Sequence, residues 1–143
     1  MRRGLGVVGA CLLWLASGCG GGDRTVESVP MALHTESGLN PADVQSVEVL
    51  VLGGERATCA RALQPQSPLD DPELDVLRHA LFTVDGSAKH LSGIPADRPL
   101  VFYVEAFKSP DGQRPRIGRG CAEETLAAGK SSGVSISIEA TSN

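Results

Sequence analysis

Three histidines are the residues of this 143-residue sequence best suited to metal binding or proton transfer. His34, His79 and His90 are scattered, and none lies three or four residues from another ligand in a recognised metal pattern. A strong hairpin signal, Asp85-Gly86, separates the last two at comparable distances. We therefore expect His79 and His90 to face each other across a hairpin, as a hydrogen-bonded or solvated pair in preference to a metal site.

Four acids form a second group with metal-binding potential: Asp70, Asp71, Glu73 and Asp75. Their carboxylates could offer oxygens to calcium. They lack the glycine and the ordered ligand spacing of an EF-hand loop. The segment 64–75 is also rich in proline, which is typical of a loop. We expect a solvated acidic loop there, and no metal site.

Glu105 is the remaining candidate, because it is the one charged residue within the apolar run 100–107. A single carboxylate is at most half of a general acid–base pair. We therefore expect Glu105 to form an ion pair with Arg114, Arg116 or Arg119 from a neighbouring strand. The sequence contains no Gly-x-Ser-x-Gly, no HExxH and no phosphate-binding glycine loop before a helix. The sequence therefore offers no catalytic motif of these kinds in support of an enzyme.

The elements that position these residues are predicted to be short strands separated by turn signals. The strand candidates are residues 44–52, 56–63, 77–85, 88–94, 100–108, 114–123 and 134–138. Asp71-Pro72 could instead open a helix across 71–83, but the alternation that follows favours a short turn and a strand. Seven short strands at near-regular spacing indicate an all-β fold, a single antiparallel β-sandwich.

The strand at residues 100–108 is the one around which the others are organised. Strand side chains alternate between two faces, so every second residue shares a side. One face carries Leu100, Phe102, Val104 and Ala106. The other carries Val101, Tyr103, Glu105 and Phe107. Because one face is wholly apolar and the other mostly so, we expect an interior strand.

The N-terminus has the pattern of an export signal. Arg2 and Arg3 form a basic region, and residues 4–16 are an apolar run shorter than the about 20 residues that span a bilayer. The sequence LASGCG at 15–20 resembles the bacterial lipoprotein signal, in which small residues precede a lipidated cysteine. The position three before that cysteine, Cys19, holds alanine where leucine is more usual.

The resemblance implies that residues 1–18 are a signal peptide and that Cys19 is acylated and anchored in a lipid bilayer. The alternative is an ordinary secretory signal that leaves a free thiol. Gly20 is not the aspartate that marks inner-membrane retention in some Gram-negative bacteria, which favours the outer membrane. Removing 1–18 leaves 11 basic and 17 acidic residues, a net charge of −6. This balance argues against a nucleic-acid partner.

Residues 19–43 are predicted to be the lipidated cysteine and a flexible tether, and residues 44–140 the β-sandwich domain. The tether begins with three glycines and continues without sustained periodicity. Addition of Val26–Leu33 to the edge of a sheet is the alternative.

Two cysteines, Cys59 and Cys121, remain in the mature chain. Disulfides persist outside the cytoplasm, so we predict that the two pair, which stabilises the fold by roughly 3–4 kcal/mol. Two independent buried thiols are the alternative. A catalytic or zinc role has little support, because neither cysteine lies in a CxxC motif or beside a histidine at ligand spacing.

The second half of the domain carries a loose family pattern. Gly-Ile-Pro-Ala at 93–96 leads into the central strand, a Pro-Asp-Gly turn follows at 110–112, and an alternating strand at 134–138 follows Ala-Gly-Lys. Over 84–139 this order resembles the prealbumin-like modules of bacterial surface proteins, including carboxypeptidase regulatory-like and CnaB-type domains. The resemblance implies an Ig-like or prealbumin-like sandwich, although the Lys–Asn pair of isopeptide-forming modules has no counterpart here.

With its signal and glycine tether, the chain also resembles small lipoproteins of myxobacteria and similar Gram-negative bacteria. These features predict a membrane-anchored, non-catalytic lipoprotein of the cell envelope, acting as a binding or structural module without cofactor or metal. Its partner would be another envelope protein or a polysaccharide. The alternative is an accessory or regulatory subunit of an envelope enzyme. His79, His90 and Glu105 are the weak candidates for ligand contact.

Overall fold

The computed structural model describes residues 24–142, whose regular secondary structure is almost entirely strand, as the sequence predicts. The strands are β1 (Thr25–Val26), β2 (Val29–Thr35), β3 (Ser46–Gly53), β4 (Asp75–Thr83), β5 (Lys89–Leu91), β6 (Ile94–Pro95), β7 (Pro99–Phe107), β8 (Arg116–Thr125) and β9 (Val134–Ala140). One short helix, α1 (Cys59–Ala62), and two 3-10 turns, Pro41–Asp43 and Pro68–Asp70, complete them. No helix in the described range is long and apolar enough to cross a membrane.

Seven strands form one continuous sheet in the order β4-β3-β7-β8-β9-β2-β5, and β1 pairs with β6 separately. Neighbours are antiparallel except β2 and β9, which run parallel and pair Met31–Thr35 with Val134–Ile138. The prediction of a purely antiparallel sandwich is therefore wrong at this pair. β2 and β9 lie far apart in the chain, so no hairpin turn requires them to be antiparallel.

The sheet folds over on itself, and its two halves enclose the main core in a sandwich-like arrangement. β3 and β7 contribute side chains from one half, and β9, β2 and β5 from the other. The bend lies at β8 and β9, which share only three register pairs. A Cβ atom at Gly120 would lie 2.2 Å from the carbonyl oxygen of Ser137. Glycine is required there because the two backbones approach within contact distance.

β7 is the interior strand that the sequence predicts. It pairs with β3 on one side and β8 on the other. Leu100, Phe102 and Val104 are buried in the main core. Val101 and Tyr103 are buried in a second apolar cluster on the outer face. Burial on both faces explains why this strand carries so few polar residues.

β1 and β2 correct the predicted domain boundary, because the sheet includes part of the segment 19–43 that was assigned to the tether. β2 lies between β9 and β5, with Val29 buried and Met31 and Leu33 packed against the main core. The alternative of strand addition by Val26–Leu33 is nearer to the structure, although β2 is internal in the sheet. The predicted signal peptide, Cys19 and the start of the tether lie outside the described residues.

The segment after β3 is helical, so the prediction of a strand over 56–63 is wrong. The Thr58 side chain accepts a hydrogen bond from the Arg61 backbone N–H at 3.2 Å and caps α1. A threonine cap satisfies a backbone donor that a strand would have paired with a neighbour. Between the two alternatives for 71–83, the strand is correct, since β4 begins at Asp75.

The predicted hairpin between β4 and β5 is also wrong. β4 pairs with β3 and β5 pairs with β2, at opposite ends of the strand order. The chain does turn at Asp85-Gly86, where Gly86 has a φ of 80°. The Asp85 carboxylate accepts hydrogen bonds from Lys89 and Ser87, which lower its pKa well below the usual range. The turn therefore carries the chain from one half of the sandwich to the other.

Candidate functional site

The outer face of the sheet, opposite the main core, is partly covered by the segment between β3 and β4. Ala62 of α1 packs there in the second apolar cluster, with Leu50, Leu52, Leu74, Val101 and Tyr103. A disulfide joins Cys59 of α1 to Cys121 of β8, so the predicted pairing is present in the structure. The Cys59 backbone N–H also donates to the Glu123 carboxylate at 2.7 Å. The covering segment is thus fastened to the sheet at α1.

An arginine–carboxylate network joins the start of this segment, at Arg56 and Arg61, to its end, at Asp71 and Glu73. Arg61 donates from Nε and Nη2 to the two carboxylate oxygens of Asp71, at 2.6 and 2.9 Å. Its Nη1 lies 2.5 Å from Glu73, to which Arg56 also donates at 3.0 Å. Asp71 is only 7% exposed. The Arg61 hydrogen bonds, aided by the Glu73 backbone N–H, lower the pKa of Asp71. The expectation of a solvated loop is therefore wrong for Asp71.

Beside the covering segment, a line of ionisable side chains crosses four strands of the outer face. These side chains, called the polar row below, are His79 of β4, Glu48 of β3, Glu105 of β7, and Arg116 and Arg119 of β8. Glu48 lies directly opposite Glu105 in the sheet register, and Glu105 lies opposite Arg119. Two carboxylates that face each other repel, so this arrangement is stable only if each carboxylate has a cationic partner.

Glu105 is held by two donors that reach the same carboxylate oxygen. The Tyr103 hydroxyl and the Arg116 Nη1 each donate to Oε1 at 2.6 Å. The Glu105 side chain is 14% exposed. Burial, and then the hydrogen bond to Glu105, raise the pKa of Tyr103 far above its ordinary value, so its hydroxyl remains a donor. Of the three arginines predicted as partners of Glu105, the structure pairs it with Arg116.

The histidines lie apart and have different partners. His79 Nε2 contacts the Glu48 carboxylate within the polar row. His90 Nδ1 lies 3.1 Å from the Ser28 hydroxyl, beside β2. His34 is exposed on β2. The prediction that His79 and His90 face each other is wrong, because their strands do not pair.

A depression of about 410 Å³ lies at the β8 end of the polar row. Arg116, Arg119, Cys121 and Glu139 are among the residues that line it. Arg119 donates to the Gln64 carbonyl at 3.2 Å, which ties this end of the row to the covering segment. Within residues 24–142 no three His, Cys, Asp or Glu side chains come together to hold a metal ion. The row presents fixed charges of both signs, an arrangement suited to recognition of a polar surface.

Three charged members of these networks, Glu48, Arg56 and Arg61, were not singled out by the sequence. Glu48 is the one charged residue of β3 and lies on its outer face, as Glu105 does on β7. This shared pattern could have identified Glu48 from the sequence. Arg61 carried no such signal, because its partner Asp71 is ten residues away across a loop. Only the folded loop brings the two together.

These features define an all-β domain with a disulfide-fastened covering segment and a charged outer face. Comparison with protein-family models, curated proteins and solved structures finds no match for this chain. Its function must therefore be inferred from the residues themselves.

Proposed function

We propose that this chain is a lipid-anchored protein of the bacterial cell envelope, acylated at Cys19 and held at the outer membrane. The observation that carries the proposal is the sequence LASGCG at 15–20, after a basic and apolar leader. The Cys59–Cys121 disulfide supports it, because such bonds persist outside the cytoplasm. Two or more acyl chains anchor a protein durably.

The position of β1 sets how far the domain reaches from the bilayer. β1, which pairs with β6, begins at Thr25. The chain between Cys19 and this first strand is therefore much shorter than the predicted tether. Six residues extend at most about 20 Å. The domain is therefore held close to the membrane surface, where its partner would be a neighbouring envelope component.

Replacing Cys19 by alanine should move the protein from the membrane fraction to the soluble envelope fraction. The acyl chains would be lost with the thiol, so the intact mass of the mature protein should fall accordingly. Cys11→Ala is the matched control, because it changes a cysteine within the predicted signal peptide and should leave both results unchanged. Membrane retention of the Cys19→Ala variant with an unaltered mass would contradict the proposal.

The role of the domain is binding or support, and the polar row is the surface that binds. Its charges lie on paired strands, and Glu105 is fixed by Tyr103 and Arg116 before any partner arrives. Pre-organised side chains lose little entropy on binding, and charges of both signs select a complementary surface. Such a surface suits an envelope protein, with a polysaccharide as the other partner class.

A photo-crosslinking residue at Arg119 should form an adduct in the intact envelope, because this position lies in the polar row. The same residue at Ser135 is the matched control, since Ser135 is exposed on β9 away from the row. Mass spectrometry of the adduct would separate a protein from a polysaccharide, and a protein partner with enzymatic activity would make this chain an accessory subunit. Equal labelling at both positions would contradict the assignment.

A further inference from the structure

One arginine of the outer face lacks the counter-charge that its burial calls for. The lysine and arginine side chains that are half-buried in the described range are Arg61, Lys89, Arg116 and Arg119. The first three each form an ion pair with a carboxylate. Among the carboxylates of residues 24–142, none forms an ion pair with Arg119. A buried charge is costly unless it is paired, so Arg119 can gain from an added anion.

Two carboxylates are neighbours of Arg119 in the sheet, but neither balances its charge. Glu105 and Glu139 lie opposite it on the two adjacent strands. Glu105 forms its ion pair with Arg116, and Glu139 is exposed. The Arg119 guanidinium is held instead by the Gln64 carbonyl, to which Nη1 donates at 3.2 Å. This neutral acceptor fixes the direction of the guanidinium and leaves its positive charge unbalanced.

The N–H groups on Nε and Nη2 of Arg119 remain for a ligand. Neither has a partner among residues 24–142, and no fully buried side-chain polar atom in that range lacks one, so both reach solvent. Arg119 lines the depression of about 410 Å³, together with Ser137. Arg61 uses the same two nitrogen atoms to hold both oxygens of Asp71, at 2.6 and 2.9 Å. The free side of Arg119 therefore has the geometry that binds a carboxylate.

We propose that this depression binds one carboxylate, from an acidic side chain of the protein partner of the polar row. The carboxylate is the group by which that partner is held, so this inference rests on the proposed function. It accepts from the Nε and Nη2 of Arg119, and the Ser137 hydroxyl is a further donor in the same depression. The ion pair between Glu105 and Arg116 stays intact.

The charges around the depression select a single negative charge. Arg119 is one unbalanced cation, and the exposed Glu139 lines the same depression. A phosphate dianion would bring a second negative charge near Glu139, where like charges repel. An acidic polysaccharide is disfavoured for the same reason, because its charges repeat and this chain itself has a net charge of −4. A protein can present one carboxylate among neutral neighbours.

Titration with sodium acetate, followed by NMR, tests the site in the natively processed full chain in a non-ionic detergent. At constant ionic strength, replacing chloride by acetate should shift the backbone amide signals of Gly120 and Cys121, beside Arg119, until they saturate. Arg119→Gln should weaken acetate binding about tenfold, because charge-assisted hydrogen bonds are lost. Arg119→Lys keeps the charge without the paired N–H groups and should give an intermediate affinity. Arg98→Gln, at an exposed arginine before β7, is the matched control and should leave acetate binding unchanged.

The acid beside the site has an expected effect of its own. Inorganic phosphate, as the dianion, should bind more weakly than acetate to the unaltered protein. Glu139→Gln should narrow this difference several-fold, because the repulsion of the second charge is removed. An undiminished preference for acetate in this variant would contradict the selection of a single charge.

The source of the carboxylate is read in the intact envelope. A photo-crosslinking residue at Ser137 keeps Arg119 in place and should label a protein, whereas a polysaccharide in the adduct would overturn the inference. Absence of a saturable acetate shift, or an equal shift in an Arg119→Gln variant that retains the Cys59–Cys121 disulfide, would overturn it as well. Saturable acetate binding without any adduct would establish the site and contradict only the proposed role of the polar row.

Discussion

Replacing Gly120 by valine is expected to lower the free energy of unfolding by about 3 kcal/mol, at the upper end of overpacking costs. A Cβ atom there would lie 2.2 Å from the Ser137 carbonyl oxygen and 3.0 Å from the Ile136 side chain. The first obstacle is backbone, so no change of rotamer relieves it. β8 and β9 would have to separate at the bend, where only three register pairs hold them.

Urea unfolding followed by far-ultraviolet circular dichroism measures this effect. The one tryptophan, Trp14, lies in the predicted signal peptide, so tryptophan fluorescence of the mature domain is not an option. Gly53→Val is the matched control, because a Cβ there meets the end of the Leu77 side chain, which can rotate away. Equal unfolding midpoints for the two variants would show that the bend tolerates a side chain.

Removing the disulfide with the double change Cys59→Ala and Cys121→Ala should cost about 4 kcal/mol, because the bridge closes a long loop in the unfolded chain. The two cysteines are 62 residues apart. In the folded state, the effect should be confined to the covering segment. Without the covalent link, α1 would be held by the hydrogen bonds of Arg61 and the apolar contacts of Ala62. Hydrogen exchange should rise across 54–74 while β7 stays protected.

Reduction of the unaltered protein should reproduce the exchange pattern of the double variant. Agreement would attribute the effect to the covalent link and exclude an effect of the alanine side chains. If both treatments leave the unfolding midpoint and the exchange across 54–74 unchanged, the covering segment is held by its noncovalent contacts. The arginine–carboxylate network at Asp71 would then be the dominant fastening.

Local pattern predicted those parts of the fold whose signal lies within a few residues. β7 was recognisable because apolar side chains occupy both of its faces, and the final strand because valine and isoleucine alternate with serine. β2 was not, although Val29, Met31 and Leu33 alternate, because Pro30 and His34 weaken the pattern. Its partner β9 is about a hundred residues away, and no local feature specifies a parallel neighbour.

The same limit applies to the candidate site. Glu105 and an arginine partner were predictable, because a charge in a buried strand needs a counter-charge nearby. That Glu48 faces Glu105 depends on the pairing of β3 with β7, two strands that β4, β5 and β6 separate in the chain. The predicted pairing of His79 with His90 is wrong because a local signal was misleading. The turn at Asp85-Gly86 joins β4 and β5, which lie in different halves of the sandwich.

The parallel contact between β2 and β9 has a consequence for how the chain is made. Met31 pairs with Val134, so the first long strand to emerge from the ribosome receives its partner only when the last has been synthesised. Contacts this distant slow folding, because a long loop must close first. A chain that completes its sheet late would stay unfolded during synthesis, which is the state that the proposed export across a membrane requires.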